Sequence, residues 1–374
     1  MDFTPTSEQI MLRDTVRDVL ARHYDPERRA KIVESDPGWN PAVWRTLAEI
    51  GLTGLTIGEA DGGMGAGPLE SMLVMTEVGR RLAPEPLLDC ALLPGEIVAD
   101  AGTPAQRQEL LPALAQGSLW LAFAHSEPGL RWPADEVATT ARRHGDNWQL
   151  TGRKHPVSHG DCADRLIVTA ALPEGVGLFL VDAADPGVRR TPYRTHDGSR
   201  GADIEFDSAT AEPLGAPVDA TSVVRTAVAR AQAALCAEAV GAMEESLRLT
   251  TEYLKTRKQF GVPLRAFQTL TQRAADMYVS LELARGMSMY AAMSLAEGAV
   301  DPVAVSRAKL RVGHSARHIG QEAIQLHGGI GMTAEYPVGH YTARLTAIEH
   351  TLGDSSDHLR FLGQHVGDHQ LVEL

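Results

Sequence analysis

Apolar positions recur at helical spacing through the first third of the chain. In "EQIMLRDTVRDVLARH", Leu12, Val16, Val19 and Leu20 fall on one face, and Thr6 and Gln9 have the spacing of a capping box at its start. Asn40 followed by Pro41 supplies an N-cap and a first-turn proline for a helix over "AVWRTLAEIGL". "GEADGGMGAG" breaks the pattern as a loop, and "PLESMLVMTEVGRRLA" resumes it. "DGGMGAG" also has the look of a phosphate loop, but it lacks a GK[ST] ending and a clear preceding strand, which favours a plain loop. From about Leu119 the period changes. "LWLAFAH", "EVATTARRH", "NWQLTGRK", "RLIVTAAL", "GVGLFLVD" and "ADIEFDS" are short β-rich runs at intervals that suit an antiparallel domain. After about Pro213 the helical pattern returns, in three segments long enough to be members of a bundle. The prediction is a mainly α protein with a central β domain: helices over residues 1–118, a β domain over 119–212 and a helical bundle over 213–374.

Composition narrows the function. A formal net charge of −13 disfavours nonspecific nucleic-acid binding, though an anionic cofactor needs only a few local cations and amides. Cys90, Cys162 and Cys236 are odd in number and lack CxxC spacing, so neither a disulfide framework nor a zinc site is expected. No apolar run reaches the roughly 18 residues of a membrane span, and "MDFTPTSEQIMLRD" does not look like a signal peptide; a cytoplasmic location is the expectation. His340, His350, His358, His365 and His369 match no metal motif and are expected at the surface.

Two stretches concentrate candidate chemistry. In "TRKQFGVPLRAFQTLTQRAADM", Arg257 is a cation at a helix end beside a turn at Gly261 and Pro263, with Phe260, Phe267 and Gln268 close in sequence. A fixed guanidinium there suits phosphate oxygens, although a solvated helix-terminal arginine would give the same pattern. In "QEAIQLHGGIGMTAEYPVGHYTAR", Gln325 precedes Gly328, Gly329 and Gly331, which would let backbone approach a flat or phosphate-bearing ligand. A helix C-cap and turn is the alternative.

Taken together, "RKQFGVPLRAFQ", the Asp276, Glu282 and Arg285 pattern, and "Q-x-H-GG-x-G-x-x-x-EYP" resemble the C-terminal domain of acyl-CoA dehydrogenases. "HSEPG" stands where that family has a TEPxAGSD loop, and "WQLTGRKHPVSHGDCAD" resembles its W-x-L-x-G-x-K-x-W-I-T-N-G segment. The resemblance runs in family order over essentially the whole chain. It implies a helical domain, a β-barrel-like domain and a C-terminal four-helix bundle, with FAD at a subunit interface, an acyl-CoA substrate, and an electron-transfer flavoprotein or similar acceptor. It puts Ser126 beside the flavin ring and Val157 and Ser158 in the positions that face it. It puts Arg257 and Phe260 on a neighbour's FAD with Gln268 nearby, and Gln325, Gly328 and Gly329 on the adenosine half.

The resemblance also implies a glutamate base that removes the α-proton, and here the chain departs from the family. The slot falls on Gly353 or Leu352, neither of which can accept a proton, and the second position used by some members falls on Ala231. Asp354 and Glu349 are the nearest carboxylates. Trp132 and Pro133 intrude in the TEP-like loop, and Pro156 and His159 replace the family's Trp and Asn. Motifs offered to a neighbour are kept, whereas those lining the chain's own pocket are eroded. This is similar to the shorter subunit of heteromeric bacterial acyl-CoA dehydrogenases, in which a homologous partner supplies the carboxylate. The alternatives are a self-sufficient homotetramer using Asp354 or Glu349, and a non-catalytic scaffold that retains FAD.

Overall fold

The computed structural model describes residues 4–133, 136–145, 147–298 and 300–368. Helix α1 (Ser7–His23) opens with the predicted capping box: Gln9 N–H donates to Thr6 Oγ1 at 3.2 Å, and Thr6 N–H donates to Gln9 Oε1 at 2.9 Å. Then follow α2 (Pro26–Glu34), α3 (Pro41–Glu49), capped by Asn40 as expected, and α4 (Pro68–Arg81). A π-helical stretch, Leu88–Leu92, runs into α5 (Leu93–Ala101), and α6 (Pro104–Ala115) precedes the strands. The glycine-rich segment is a loop shaped by packing: a Cβ on Gly63 would collide with the Ile57 and Gly54 carbonyls.

Seven strands form one sheet: β1 (Leu121–Ala124), β2 (Thr140–His144), β3 (Asn147–Ser158), β4 (Arg165–Leu172), β5 (Gly175–Asp182), β6 (Val188–Arg194) and β7 (Arg200–Pro213). Because β5 pairs with both β4 and β7, and β2 reaches β4 at Thr140, the ring β4–β2–β3–β7–β5 closes, giving the barrel-like domain expected. Leu150, Val157, Leu166, Val168, Phe179, Ile204 and Phe206 fill it. The sequence reading missed β6, "VRRTPYR". It pairs only with β7, and its charges and Pro192 mark it as an edge strand. One ion pair is sunk into this domain. The Lys154 ammonium, fully buried, donates to Glu127 at 2.7 Å, to the His125 carbonyl at 3.1 Å and to Thr169 Oγ1 at 3.0 Å. The Glu127 carboxylate also accepts the Ala138 and Thr139 amides at 2.6 and 2.9 Å.

The last part is helical: α7 (Thr221–Thr256), a two-residue hairpin of β8 (Lys258–Gln259) and β9 (Val262–Pro263), α8 (Gln268–Ala296), α9 (Pro302–His327), α10 (Val338–His350) and α11 (Ser355–Gln364). The chain forms two compact units. One holds Ala30–Gly67 and Pro84–Ala231, including the barrel; the other holds α1, α4 and the chain from Gln232 onward. In the helical unit α4 and α7 touch through glycines: a Cβ on Gly79 would strike the Glu238 carbonyl, and one on Gly241 the Thr76 carbonyl. Arginines neutralise its buried acids. Glu77, 1% exposed, pairs with Arg17 and Arg80, and Glu238 accepts two bonds from Arg344 at 2.6 and 2.9 Å. His358, expected at the surface, is instead fully buried on α11; His369 lies outside the described residues. Among the described residues, no helix is long and apolar enough to cross a membrane.

Candidate cofactor and catalytic site

In the helical unit the two motif stretches meet. Tyr253 on the last turn of α7, His327 at the end of α9 and Tyr336 pack as a ring cluster, with centroids 4.6 Å (Tyr253–His327), 4.9 Å (His327–Tyr336) and 6.2 Å apart. This pins the end of α7 against the glycine turn after α9. Arg257 N–H donates to the Tyr253 carbonyl at 2.8 Å, so Arg257 leaves the helix one turn beyond the cluster, and Leu264 N–H returns to the Arg257 carbonyl at 2.8 Å. The intervening hairpin turns on positive φ at Phe260 (+55°) and Gly261 (+82°), which throws the Phe260 ring 90% into solvent beside Phe267. Gln268 begins α8 and is exposed. On the other side Gln325 is exposed, and Gly328, at φ +65°, and Gly329 have open space where a side chain would be.

This arrangement fits FAD. Among the described residues the Arg257 guanidinium has no carboxylate or hydrogen-bond partner, as an arginine awaiting a pyrophosphate would. A solvated phenyl ring and a glycine turn open to solvent can take the flat parts of the molecule. The helix C-cap reading of Gly328 is also correct: its N–H donates to the Gln325 and Ile324 carbonyls, so capping and openness come from the same residue.

In the barrel unit, Ser126 follows β1 and is half-buried; its carbonyl accepts His155 N–H at 2.8 Å, tying the TEP-like loop to β3. Ser158 ends β3 with its side chain exposed. A register shift in β3 between Lys154 and Val157 turns the Val157 side chain into the barrel core at 0% exposure. Glu127, kept from the TEP motif, and Lys154, kept from the W-x-L-x-G-x-K motif, are each other's buried partner. Sequence reasoning did not foresee that pairing, because Glu127, in the loop after β1, and Lys154, on β3, are far apart in the chain and meet only in the folded barrel.

The base slot lies in the turn between α10 and α11. Leu352 and Gly353 hold positive φ there, +55° and +98°. Buried Lys309 on α9 donates to the carbonyls of Ile348, Glu349 and Gly353 at 2.7, 3.2 and 3.1 Å, which satisfies the end of α10 and fixes the turn. Asp354 is the N-cap of α11, where its carboxylate accepts Asp357 N–H at 2.8 Å in a capping box. Glu349, 4% exposed, accepts Ser355 N–H at 3.1 Å and Arg317 at 3.3 Å, and a Cβ on Gly313 would collide with it. Ala231 is buried on α7. Glu349 is enclosed, whereas Asp354, with its side chain 35% exposed, is engaged in capping α11.

A closed barrel in one unit, and an exposed arginine, aromatic ring and glycine turn gathered at one end of the helical unit, suit the flavoprotein class that the sequence resemblance implied. Comparison with known proteins agrees at every domain. Residues 6–118, 122–209 and 221–367 match the acyl-CoA dehydrogenase N-terminal, middle and C-terminal domains, and the chain belongs to that family. It is similar to the acyl-CoA dehydrogenase IpdE2 of Mycobacterium tuberculosis, 32% identical over 364 residues that cover 97% of this chain and 98% of the relative. Among solved structures, the steroid ACAD Tcur3481–Tcur3483 superimposes with a TM-score of 0.89 at 32% identity, covering 96% of this chain and 98% of that one. The ChsE4–ChsE5 complex from Mycobacterium tuberculosis gives 0.91 at 28% identity, with 99% and 100% covered. The protein is thus an acyl-CoA dehydrogenase-type oxidoreductase, and its cofactor is FAD.

Proposed function

We propose that this chain is the subunit of a hetero-oligomeric acyl-CoA dehydrogenase that completes a partner's FAD site and does not itself carry the base for α,β-desaturation. The observation that carries the reading is the turn between α10 and α11. Its slot residues, Leu352 and Gly353, have no carboxylate; Asp354 is committed to capping α11, and Glu349 is enclosed between helices. Removing an α-proton needs a carboxylate within hydrogen-bond reach of that carbon. FAD, when bound, supplies the hydride acceptor. What this chain contributes is binding: Arg257 for the pyrophosphate, Phe260 for a flat ring, Gln268 beside them, and Gln325, Gly328 and Gly329 for the adenosine half. Ser126 and Ser158 belong to the flavin that sits against this chain's own barrel.

Two similar structures support the assembly: one is the ChsE4–ChsE5 complex, and the other the Tcur3481–Tcur3483 steroid ACAD. A bulky acyl group in thioester linkage to coenzyme A, such as a steroid side chain, is accordingly the proposed substrate class, with a flavoprotein as electron acceptor. Exposed apolar side chains along α8 — Tyr278, Val279, Leu283 and Tyr290 — offer a face for subunit packing. Flavin content tests the reading. Purified alone, the chain should hold little FAD, and mixing with the homologous partner should raise bound flavin in step with complex formation. Full flavin occupancy in the isolated chain, unchanged by the partner, would count against it.

A further inference from the structure

The ring cluster that joins the two candidate cofactor stretches contains a buried polar atom with nothing to bond. His327, 3% exposed, ends α9 between Tyr253 and Tyr336, with ring centroids 4.6 and 4.9 Å away. Its Nδ1 lies 2.7 Å from the Ala323 carbonyl, which can only accept. Nδ1 therefore carries the hydrogen, and Nε2 of the neutral ring is a bare lone pair. Nε2 is buried and has no hydrogen-bond partner among the described residues.

A proton added to Nε2 would place a charge and an N–H donor where no acceptor exists, which costs free energy. The surroundings do not offset that cost. Tyr253 on α7 and Tyr336 after the glycine turn are the titratable groups in ring contact with His327. Arg248 on α7 acts on Tyr336 and is held by Glu245 at 2.6 and 2.8 Å, while Glu252 is paired with Lys255 at 2.9 Å. Glu335, next to Tyr336, is exposed, and among the described residues no carboxylate is paired with the imidazole. Burial pushes the His327 imidazole down, against the pull of the Ala323 carbonyl.

We propose that His327 is a positioning residue for the cofactor site: neutral, it pins the end of α7 to the glycine turn, and a proton on Nε2 parts Arg257 from Gly328 and Gly329 and loosens FAD. This rests on the reading that those residues hold FAD. Without flavin the cluster is free to open and hydrate the ring, which then takes up its proton near the ordinary pH of about 6.5. The pinned cluster takes it up only at lower pH. Flavin and proton therefore oppose each other, and FAD affinity should fall by up to about tenfold per pH unit below about pH 6.5.

The test follows the FAD dissociation constant of the assembled protein by flavin fluorescence as the pH is lowered from neutral. His327→Phe, which keeps a ring between the two tyrosines, should lose most of the acid-side weakening; the same slope in both proteins would overturn the proposal. Histidine C2 deuterium exchange, read by mass spectrometry on the unmodified protein, gives a second measure that needs no variant to fold. With flavin bound, the His327 midpoint should lie below that of an ordinary histidine, and it should rise when flavin is removed; equal midpoints would overturn the proposal. Arg257→Ala separates the two readings. If it leaves FAD affinity at neutral pH unchanged, the cofactor assignment fails and the proposal with it. If it weakens binding while His327→Phe keeps the full slope, the assignment stands and the His327 role falls.

Discussion

Arg257 has no partner among the described residues although the chain carries an excess of acid, which leaves its charge available for the pyrophosphate contact proposed above. A charge-assisted bond to a pyrophosphate contributes about 1.5–3 kcal/mol. Arg257→Ala should therefore weaken FAD binding roughly 10- to 150-fold in a flavin titration of the assembled protein. Unchanged affinity would remove Arg257 from the cofactor site. The residue types of this site were legible in sequence because a cation, an aromatic and glycines sat beside recognisable turns. What the sequence did not expose is the Tyr253–His327–Tyr336 cluster that brings the two stretches together, since Tyr253 lies far from the other two in the chain. The burial of Val157 was not legible for a related reason: the face that a strand residue shows depends on a register that an irregularity between Lys154 and Val157 shifts.

Among the elements, the barrel and the α10–α11 turn are both stabilised by buried charge or buried polar groups. In the barrel, desolvation brings the Lys154 ammonium down to about 8, even with Glu127 opposing that shift. Lys154→Met would leave Glu127 buried and unpaired, at a cost of about 3–5 kcal/mol, read as a lower denaturant midpoint. Lys154→Met combined with Glu127→Gln should recover much of that loss, whereas a double variant as unstable as the single would refute the pairing account. At the turn, burial first and the Lys309 charge second push the His358 imidazole down to about 3. The unfolded chain takes up that proton near pH 6.5, so the stabilisation is present above this pH and is lost as the pH falls towards 3. The slope from this one group is at most about 1.4 kcal/mol per pH unit. Replacing His358 with Gln should flatten the stability profile between pH 6 and 4; an unchanged slope would show that other groups dominate acid unfolding. Helical and strand periods made the long elements readable, and the edge strand β6 was lost because solvent-facing charges hide a period of two.

At the scale of the whole molecule, the proposed function joins a candidate cofactor-binding end to an α10–α11 turn whose slot residues, Leu352 and Gly353, carry no carboxylate. The family and its three-part fold were readable from motif order, which spans the chain. The enclosure of Glu349 and the capping role of Asp354 were not, because both depend on α9, α10 and α11 closing around one turn. The most direct test is steady-state turnover of fatty and steroid acyl-CoA esters with an artificial electron acceptor, measured on the isolated, flavin-supplemented chain and on its complex with the homologous partner. Loss of a general base typically costs 10²–10⁴ in rate. The account predicts negligible turnover by the chain alone and activity in the complex that is insensitive to Asp354→Asn in this subunit. Robust turnover by the isolated chain, abolished by Asp354→Asn, would contradict it.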